Sequence, residues 1–305
     1  SALAKRLGQP EPELRVALEE ARQRLFEARE VRPKPFRDEK IITSWNAMMV
    51  GTFAEAGAAF AEPRWLERAE RGLRFLHEHL WEGDALFRIY KEGRRQRPGF
   101  LVDYAELANA AMDFYEASFE LAWLRWAKAL LDSALSRFFD ADSASLYFSE
   151  PSEDLPLRTE DHIDNAVASG SSSMLRALLR LNAFLGEARY AELAERVLER
   201  RAASALENPF AHGALVGVVD AWLHGNCQIV LSEGDEAEHD WAADLVRSVF
   251  VLDRALMRAC PELSGAEAVL GPEARPPGVY VCRERTCSPA VNEPEALRTL
   301  LGTSS

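Results

Sequence analysis

One helical pattern recurs along the chain and constrains its fold more than any other feature. An aromatic residue, an Ala and a Leu follow one another at helical spacing in three copies: Trp65 with Ala69 and Leu73, Trp123 with Ala127 and Leu131, and Tyr190 with Ala194 and Leu198. This spacing places the three side chains of each copy on one face of a helix. Self-similarity at this period is typical of stacked helix pairs, which bury a continuous core only by packing on their neighbours. The sequence therefore predicts an all-α repeat architecture.

A second helix precedes each copy. Trp45 stands before Trp65 at the same distance as Asp103 stands before Trp123, so the first two cycles share one phase. Each cycle is predicted to run helix, helix, short strand. The predicted helices are 12–30, 43–60, 63–81, 100–119, 123–139, 166–185 and 188–206, with another beginning near 209, and the predicted strands are 85–90, 146–148, 226–232 and 279–281. Because no low-complexity linker divides the chain, residues 1–305 are predicted to form a single domain.

The composition of the chain argues against some classes of binding partner. The 305 residues are 48% hydrophobic, which is enough for a sizeable core, and carry a formal charge of −13. This charge opposes phosphate backbones and anionic lipid, so we expect neither a nucleic-acid nor a membrane partner. No apolar run approaches the roughly 20 residues of a membrane span, and the first residues lack the apolar stretch of a secretory signal. We therefore expect a cytoplasmic protein.

The four cysteines give little sign of special chemistry. Cys227, Cys260, Cys282 and Cys287 are too few and too scattered for a disulfide framework, and a cytoplasmic protein keeps its thiols reduced. Cys282 and Cys287 stand close enough to suit a metal or a redox pair, but a closed zinc site needs four ligands. We expect free or structural thiols and no metal site.

The phase of the repeat nominates a candidate site. In a toroid of helical hairpins, the inner helices point the same ends at a common funnel, so residues at equivalent positions converge there. Carboxylates, amides and aromatic faces in such a funnel would suit a polyhydroxylated ligand. Asp103 and Asp164 are the candidate catalytic carboxylates. The candidate ligand-binding residues are Trp45, Asn46, Tyr104, Asp161 and Ser171.

Each of these residues also has a plainer interpretation. Trp45 and Tyr104 are equally consistent with large core side chains. Asp103, Asp161 and Asp164 are equally consistent with helix caps, because each stands near the predicted start of a helix. The sequence alone leaves both interpretations open.

Four stretches of the chain resemble one family, the thioredoxin-domain proteins similar to spermatogenesis-associated protein 20. Their order and spacing agree with the family across nearly the whole chain. The family patterns D-D-K-x-L-T-S-W-N-G, F-L-x-D-Y-A, D-G-A-E-P-S-G-N-S and Y-V-C-x-x-x-x-C-x-x-P resemble, in that order, residues 37–46, 100–105, 164–172 and 280–289.

The resemblance implies the helical, C-terminal region of such a protein, without the thioredoxin-like domain and the early helices that precede it. The implied fold is an incomplete (α/α)6-type toroid with short β-hairpin segments, related to six-hairpin glycosidases and to N-acylglucosamine 2-epimerase. The chain departs from the family pattern at Ala47, Val167, Ala168 and Ser171. The departures at Val167 and Ser171 remove a Glu and an Asn from the implied site.

Two functions of different classes follow. The first is a domain that binds or processes a sugar-like small molecule in the funnel, which rests on analogy of fold. The second is a non-catalytic scaffold or partner-binding module for an attached thioredoxin-like redox domain. Neither implies a cofactor. Inner-helix edges left open by missing hairpins would favour a homodimer or association with the missing N-terminal region.

Overall fold

The computed structural model describes residues 2–153, 157–232, 236–260, 263, 276–283 and 286–302. The chain forms two compact units, Ser1–Glu39 and Lys40–Ser305. The first unit holds helices α1 (Ala2–Leu7) and α2 (Glu11–Glu30), and α2 buries none of its residues. The prediction of a single domain for the whole chain stays a prediction, while residues 40–305 are one compact unit.

The second unit begins with three helix pairs and a further helix. Residues 40–224 contain β1 (Ile41–Ile42), α3 (Thr43–Ala59), α4 (Pro63–Leu80), β2 (Trp81–Glu82), β3 (Ala85–Lys91), β4 (Arg94–Pro98), α5 (Leu101–Ser118), α6 (Leu121–Phe138), β5 (Phe139–Asp140), β6 (Ser145–Leu146), α7 (Gly170–Leu185), α8 (Ala188–Glu207) and α9 (Gly213–His224). These bounds lie within a few residues of those predicted from the repeat. The largest difference is at α7, which begins at Gly170 rather than near Ala166.

The repeated pattern is the buried face of the second helix in each pair. On α4, α6 and α8, the Ala and Leu of the pattern are at most 1% exposed. Each of these helices packs on the helix before it, α3, α5 or α7. The small Ala side chain lets the two helices approach, and the flanking aromatic and Leu fill the space beside it. The predicted role of the repeat is therefore confirmed.

The first helices of the pairs form an inner row. Helix α5 packs between α3 and α7, and α7 also packs on α9. Most side chains of α5 and α7 are buried, because these two helices have neighbours on nearly every side. Between α4 and α5, strand β3 pairs antiparallel with β1, β2 and β4. The structure is mostly helical, as predicted.

The described part of residues 227–301 does not form helical hairpins, and here the all-α prediction needs correction. Strands β7 (Cys227–Leu231), β8 (Arg254–Arg258), β9 (Val279–Arg283) and β10 (Thr286–Cys287) form a sheet in the order β10-β9-β7-β8. Strands β7 and β8 are parallel and are connected through helix α10 (Glu236–Ser248), and helix α11 (Pro294–Leu301) packs on α10. Parallel strands need such a crossover connection. Continuous apolar runs such as Ile229 to Leu231 mark these strands as buried on both faces.

The expectation of free thiols is wrong for one pair. Cys282 and Cys287 form a disulfide, with their Cα atoms 4.0 Å apart. The cause is the register of β9 and β10, which places Cys287 directly opposite Cys282. Cys227 and Cys260 are free. In the described part of the chain, no helix is both long and apolar enough to cross a bilayer.

Candidate functional site

Asp103 ties together the starts of two inner helices. Its Oδ1 accepts a hydrogen bond from the backbone N–H of Ser44 at 3.0 Å, at the start of α3. Its Oδ2 accepts from the N–H of Phe100 at 2.9 Å, at the start of its own helix, and from Nη1 of Arg88 at 2.8 Å. The side chain is fully buried. Three donors and the lack of exposed surface favour the helix-cap interpretation of Asp103, and its role as a catalytic carboxylate stays a prediction.

Asp161 and Asp164 cap the next two inner helices. Oδ2 of Asp161 accepts from the N–H of Gly170 at 2.8 Å, at the start of α7. Oδ2 of Asp164 accepts from the N–H groups of Ala214 and Leu215 at 2.8 and 3.1 Å, at the start of α9. Partial burial opposes ionisation of Asp164, but the hydrogen bonds that its carboxylate accepts outweigh this, and its pKa is lowered. These carboxylates satisfy orphan N–H groups at helix starts.

The other predicted residues lie near the same end of the inner helices but differ in exposure. Tyr104 is fully buried and accepts a hydrogen bond from the N–H of Leu86 at 2.8 Å, so it is a core residue and not a stacking face. Ser171 is 7% exposed. Trp45 is 64% exposed, and Asn46 donates from Nδ2 to the carbonyl of Ile42 at 2.8 Å. The starts of the inner helices thus lie close together, as the phase of the repeat predicts. None of the seven candidate residues lines the cavity described next.

A cavity of about 1030 Å³ lies alongside the inner row. Helices α3, α5, α7 and α9 contribute its walls, and residues 167–168, 226 and 247–254 complete the lining; residues 247–254 are here called the closing segment. Its polar lining residues are Glu55, Glu106, Asn109, Glu116, Ser172, Ser173, Arg176, Arg180, Asp220, Asn226, Arg247, Ser248, Asp253 and Arg254. A volume of this size accommodates a small organic ligand.

A buried ion pair and a hydrogen bond to a backbone carbonyl join the closing segment to helix α5. Oε2 of Glu116, on α5, accepts from Nε of Arg254 at 3.0 Å, and the Glu116 carbonyl accepts from Nη2 of Arg247 at 2.8 Å. Nearby, Nη2 of Arg180 lies 2.7 Å from Oδ1 of Asp113. Three of the cavity's four guanidinium groups are thus held by groups of the protein itself.

Two cavity carboxyls have raised pKa values. Glu106, on α5, is partly buried, which raises its pKa, although Oγ of Ser173 donates a hydrogen bond of 2.5 Å that opposes the shift. Glu55, on α3, projects into the cavity, where loss of hydration and then the charge of Asp113 raise its pKa. A raised pKa favours the protonated form of a carboxyl, which can donate a hydrogen bond as well as accept one. Arg176, on α7, is exposed to the cavity and lowers the pKa of both groups.

The sequence holds a signal for this site that the repeat phase did not use. Glu106, Asn109, Asp113 and Glu116 recur every three or four residues along α5, a helix whose other positions are mostly apolar. A polar stripe on a helix that is buried nearly all round indicates a cavity or an internal ion-pair network. Within the described residues, no three His, Cys, Asp or Glu side chains are grouped so that they could hold a metal ion.

Comparisons with known proteins agree with this architecture. No family model matches the chain. Over 98% of its length, the chain is 32% identical to spermatogenesis-associated protein 20 of Homo sapiens, and it spans about 40% of the length of that relative. Its fold is similar to that of a GH76 alpha-mannanase from Bacteroides thetaiotaomicron, with a TM-score of 0.50 and 12% identity over 70% of this chain and 57% of that chain. A likeness to the cellobiose 2-epimerase of Bacillus thermoamylovorans has a TM-score of 0.45 and 13% identity, over 54% of this chain and 45% of that chain.

Proposed function

The chain belongs to the spermatogenesis-associated protein 20 family over the region that it shares with those relatives, and we propose that this region binds a sugar-like, polyhydroxylated small molecule in the cavity beside its inner helices. The observation that carries the proposal is the mixed lining of that cavity. Carboxylates and amide oxygens accept hydrogen bonds from hydroxyl groups, while Arg176 and Ser172 can donate them. A ligand rich in hydroxyl groups satisfies both kinds of partner.

The closing segment adds the apolar surface that sugar rings also need. The ring of Phe250 is 85% exposed and lines the cavity beside Leu252, which is 59% exposed. Aromatic rings present a flat apolar face to the C–H groups of a sugar. Phe250 thus takes the stacking role that the sequence suggested for Tyr104. The fold likeness to an alpha-mannanase is consistent with this ligand class but does not by itself carry it.

The first test is a thermal-shift screen of mono- and disaccharides. A ligand at ten times its dissociation constant stabilises the folded state by about 1.4 kcal/mol, which is readily detected. We expect the shift to disappear in Glu106→Gln and to persist in Glu199→Gln, the same substitution at an exposed position of α8. A screen in which no sugar shifts the transition would overturn the proposal.

A second candidate function is partner binding, and the start of α3 favours it. Trp45 and Met49 are 64% and 55% exposed and stand one helical turn apart on the same face. Exposed aromatic and Met side chains are enriched at protein interfaces. If this face binds the thioredoxin-like domain that the family resemblance implies, Trp45→Ala should weaken binding of that domain supplied separately and leave the sugar-induced shift intact. Equal binding by the variant and the wild type would contradict this function.

A further inference from the structure

The charges that line the cavity do not balance. Arg180 and Arg254 are held by Asp113 and Glu116, with nitrogen–oxygen distances of 2.7 and 3.0 Å. Arg247 contacts the Glu116 carbonyl and lies 3.8 Å from a carboxylate oxygen of Asp244. Arg247 and Arg254 join the closing segment to α5, and Arg180 joins α7 to α5, so these guanidinium groups add little positive charge that a ligand could use.

The other charged residues that line the cavity are mostly acidic. Among the described residues, four carboxyl groups from four parts of the fold remain: Glu55 on α3, Glu106 on α5, Asp220 on α9 and Asp253 in the closing segment. Only Arg176 faces them without an ion pair of its own within the described chain. Oδ1 of Asp220 lies 3.1 Å from Nδ1 of His224, which carries charge only when it is protonated.

Burial raises the pKa of three of these carboxyls, and the charges of neighbouring carboxylates add to the shift. Burial raises the pKa of Glu106 and Glu55, and the charge of Asp113 adds to both shifts. Burial also raises the pKa of Asp253, followed by the charge of Asp220, against the attraction of Arg176. Placing a positive charge among these carboxyls would offset the repulsion and favour their ionised forms.

We propose that the ligand of this cavity carries a protonated amine, as an amino sugar does. This inference rests on the proposed function, because it adds a charge to the polyhydroxylated ligand assigned above. A neutral sugar would leave the carboxylate excess unmatched, and an anionic one would find Arg176 alone. A bare metal ion needs several oxygen ligands that converge on one point. Within the described chain no three such side chains converge, whereas an amine on a larger ligand needs one or two carboxylates.

The test compares three sugars that differ at one position. Glucosamine, glucose and N-acetylglucosamine share a ring, and at about pH 7 only the first carries a protonated amine, of the kind that titrates near pH 8. We expect titration calorimetry to show that glucosamine binds at least tenfold more tightly than the other two. Its advantage should shrink at high salt, because salt screens charge pairs that solvent reaches.

Substitutions in the cavity test whether the preference for glucosamine arises there. Glu106→Gln and Glu55→Gln should each reduce the preference for glucosamine over glucose severalfold, whereas Glu199→Gln on the outer helix α8 should leave it unchanged. Equal affinity for all three sugars would overturn the amine inference while leaving the proposed function standing. If none of the sugars binds, the proposed function fails and the inference fails with it. If ethanolamine, an amine without a sugar ring, binds as tightly as glucosamine, the assignment to an amino sugar is wrong.

Discussion

At the scale of single residues, Asp103 shows how a side chain in a family-like motif can serve the fold. Its carboxylate holds the first turns of α3 and α5 at one point and pairs with Arg88 at 2.8 Å. Capping two helices with one buried carboxylate fixes the spacing of neighbouring repeats. These hydrogen bonds give the motif a structural role at the start of two helices.

The substitution Asp103→Asn removes the charge and one acceptor oxygen. The amide group would face donors, Arg88 or the N–H of Phe100, so we expect the free energy of unfolding to fall by about 2–4 kcal/mol. Urea denaturation measures this loss, with Asp142→Asn at an exposed turn as the matched control. Sugar binding by the folded variant should match the wild type, and selective loss of binding with unchanged stability would contradict the structural role.

Asp164 makes a contribution to stability that depends on pH. Its pKa is lowered in the folded protein, so its stabilising effect is fully present above the ordinary carboxyl pKa of about 4 and is lost as pH falls through the lowered value. We expect Asp164→Asn to cost about 1 kcal/mol at neutral pH, and the difference from the wild type to shrink below about pH 4. Denaturation across a pH series measures this. A difference that stays constant down to about pH 2 would show that charge plays no part.

At the scale of elements, the repeated aromatic–Ala–Leu face is where sequence reasoning succeeded. The Leu198→Ala substitution on α8 tests it, because Leu198 is 1% exposed and Leu206, on the same helix, is 84% exposed. We expect Leu198→Ala to lower the free energy of unfolding by about 2–5 kcal/mol, through lost burial and the cavity left behind. Leu206→Ala should change it by less than about 0.5 kcal/mol. Similar losses in both variants would contradict the assignment of α8 as an outer helix with one buried face.

The helices of residues 40–232 and strands β3, β6 and β7 were predictable because periodicity and turn residues report local structure directly, whereas the short strands β1, β2, β4 and β5 were not predicted. Helix α10 and strand β8 carry no copy of the repeat, so the repeat did not predict the crossover that connects the parallel strands β7 and β8. The cavity was harder still to predict from the sequence. Glu55, Glu106 and Asp253 are brought together only by packing, and repeat phase marks equivalent positions at helix starts, whereas the cavity runs along the helix bodies.

At the scale of the whole molecule, one buried carboxylate joins the two architectures of residues 40–305. Glu116 is 3% exposed and pairs with Arg254, while its Oε1 accepts from the N–H of Leu256 at 3.3 Å. The helical hairpins and the C-terminal sheet therefore meet through charge as well as through apolar contact. Removing one partner of such a pair leaves the other buried without compensation.

We expect Glu116→Gln to loosen the C-terminal sheet more than the helical hairpins. Amide hydrogen exchange should accelerate in residues 227–231 and 254–258 while α6 keeps its protection, because local opening follows the weakest joint. Glu199→Gln is the control, and the free energy of local opening of the C-terminal sheet should fall by about 3 kcal/mol. Uniform acceleration over all helices would instead indicate one cooperative unit.

The ion pair between Glu116 and Arg254 also bears on the order in which the parts of the molecule fold. The two residues are 138 positions apart, whereas each helical pair closes through contacts between neighbours in sequence. Contacts of long sequence separation form late, since the intervening chain must first be ordered. A chain emerging from the ribosome would thus hold finished hairpins well before it holds a finished cavity. A small molecule bound in that cavity would therefore stabilise the product of folding but would not assist the early steps.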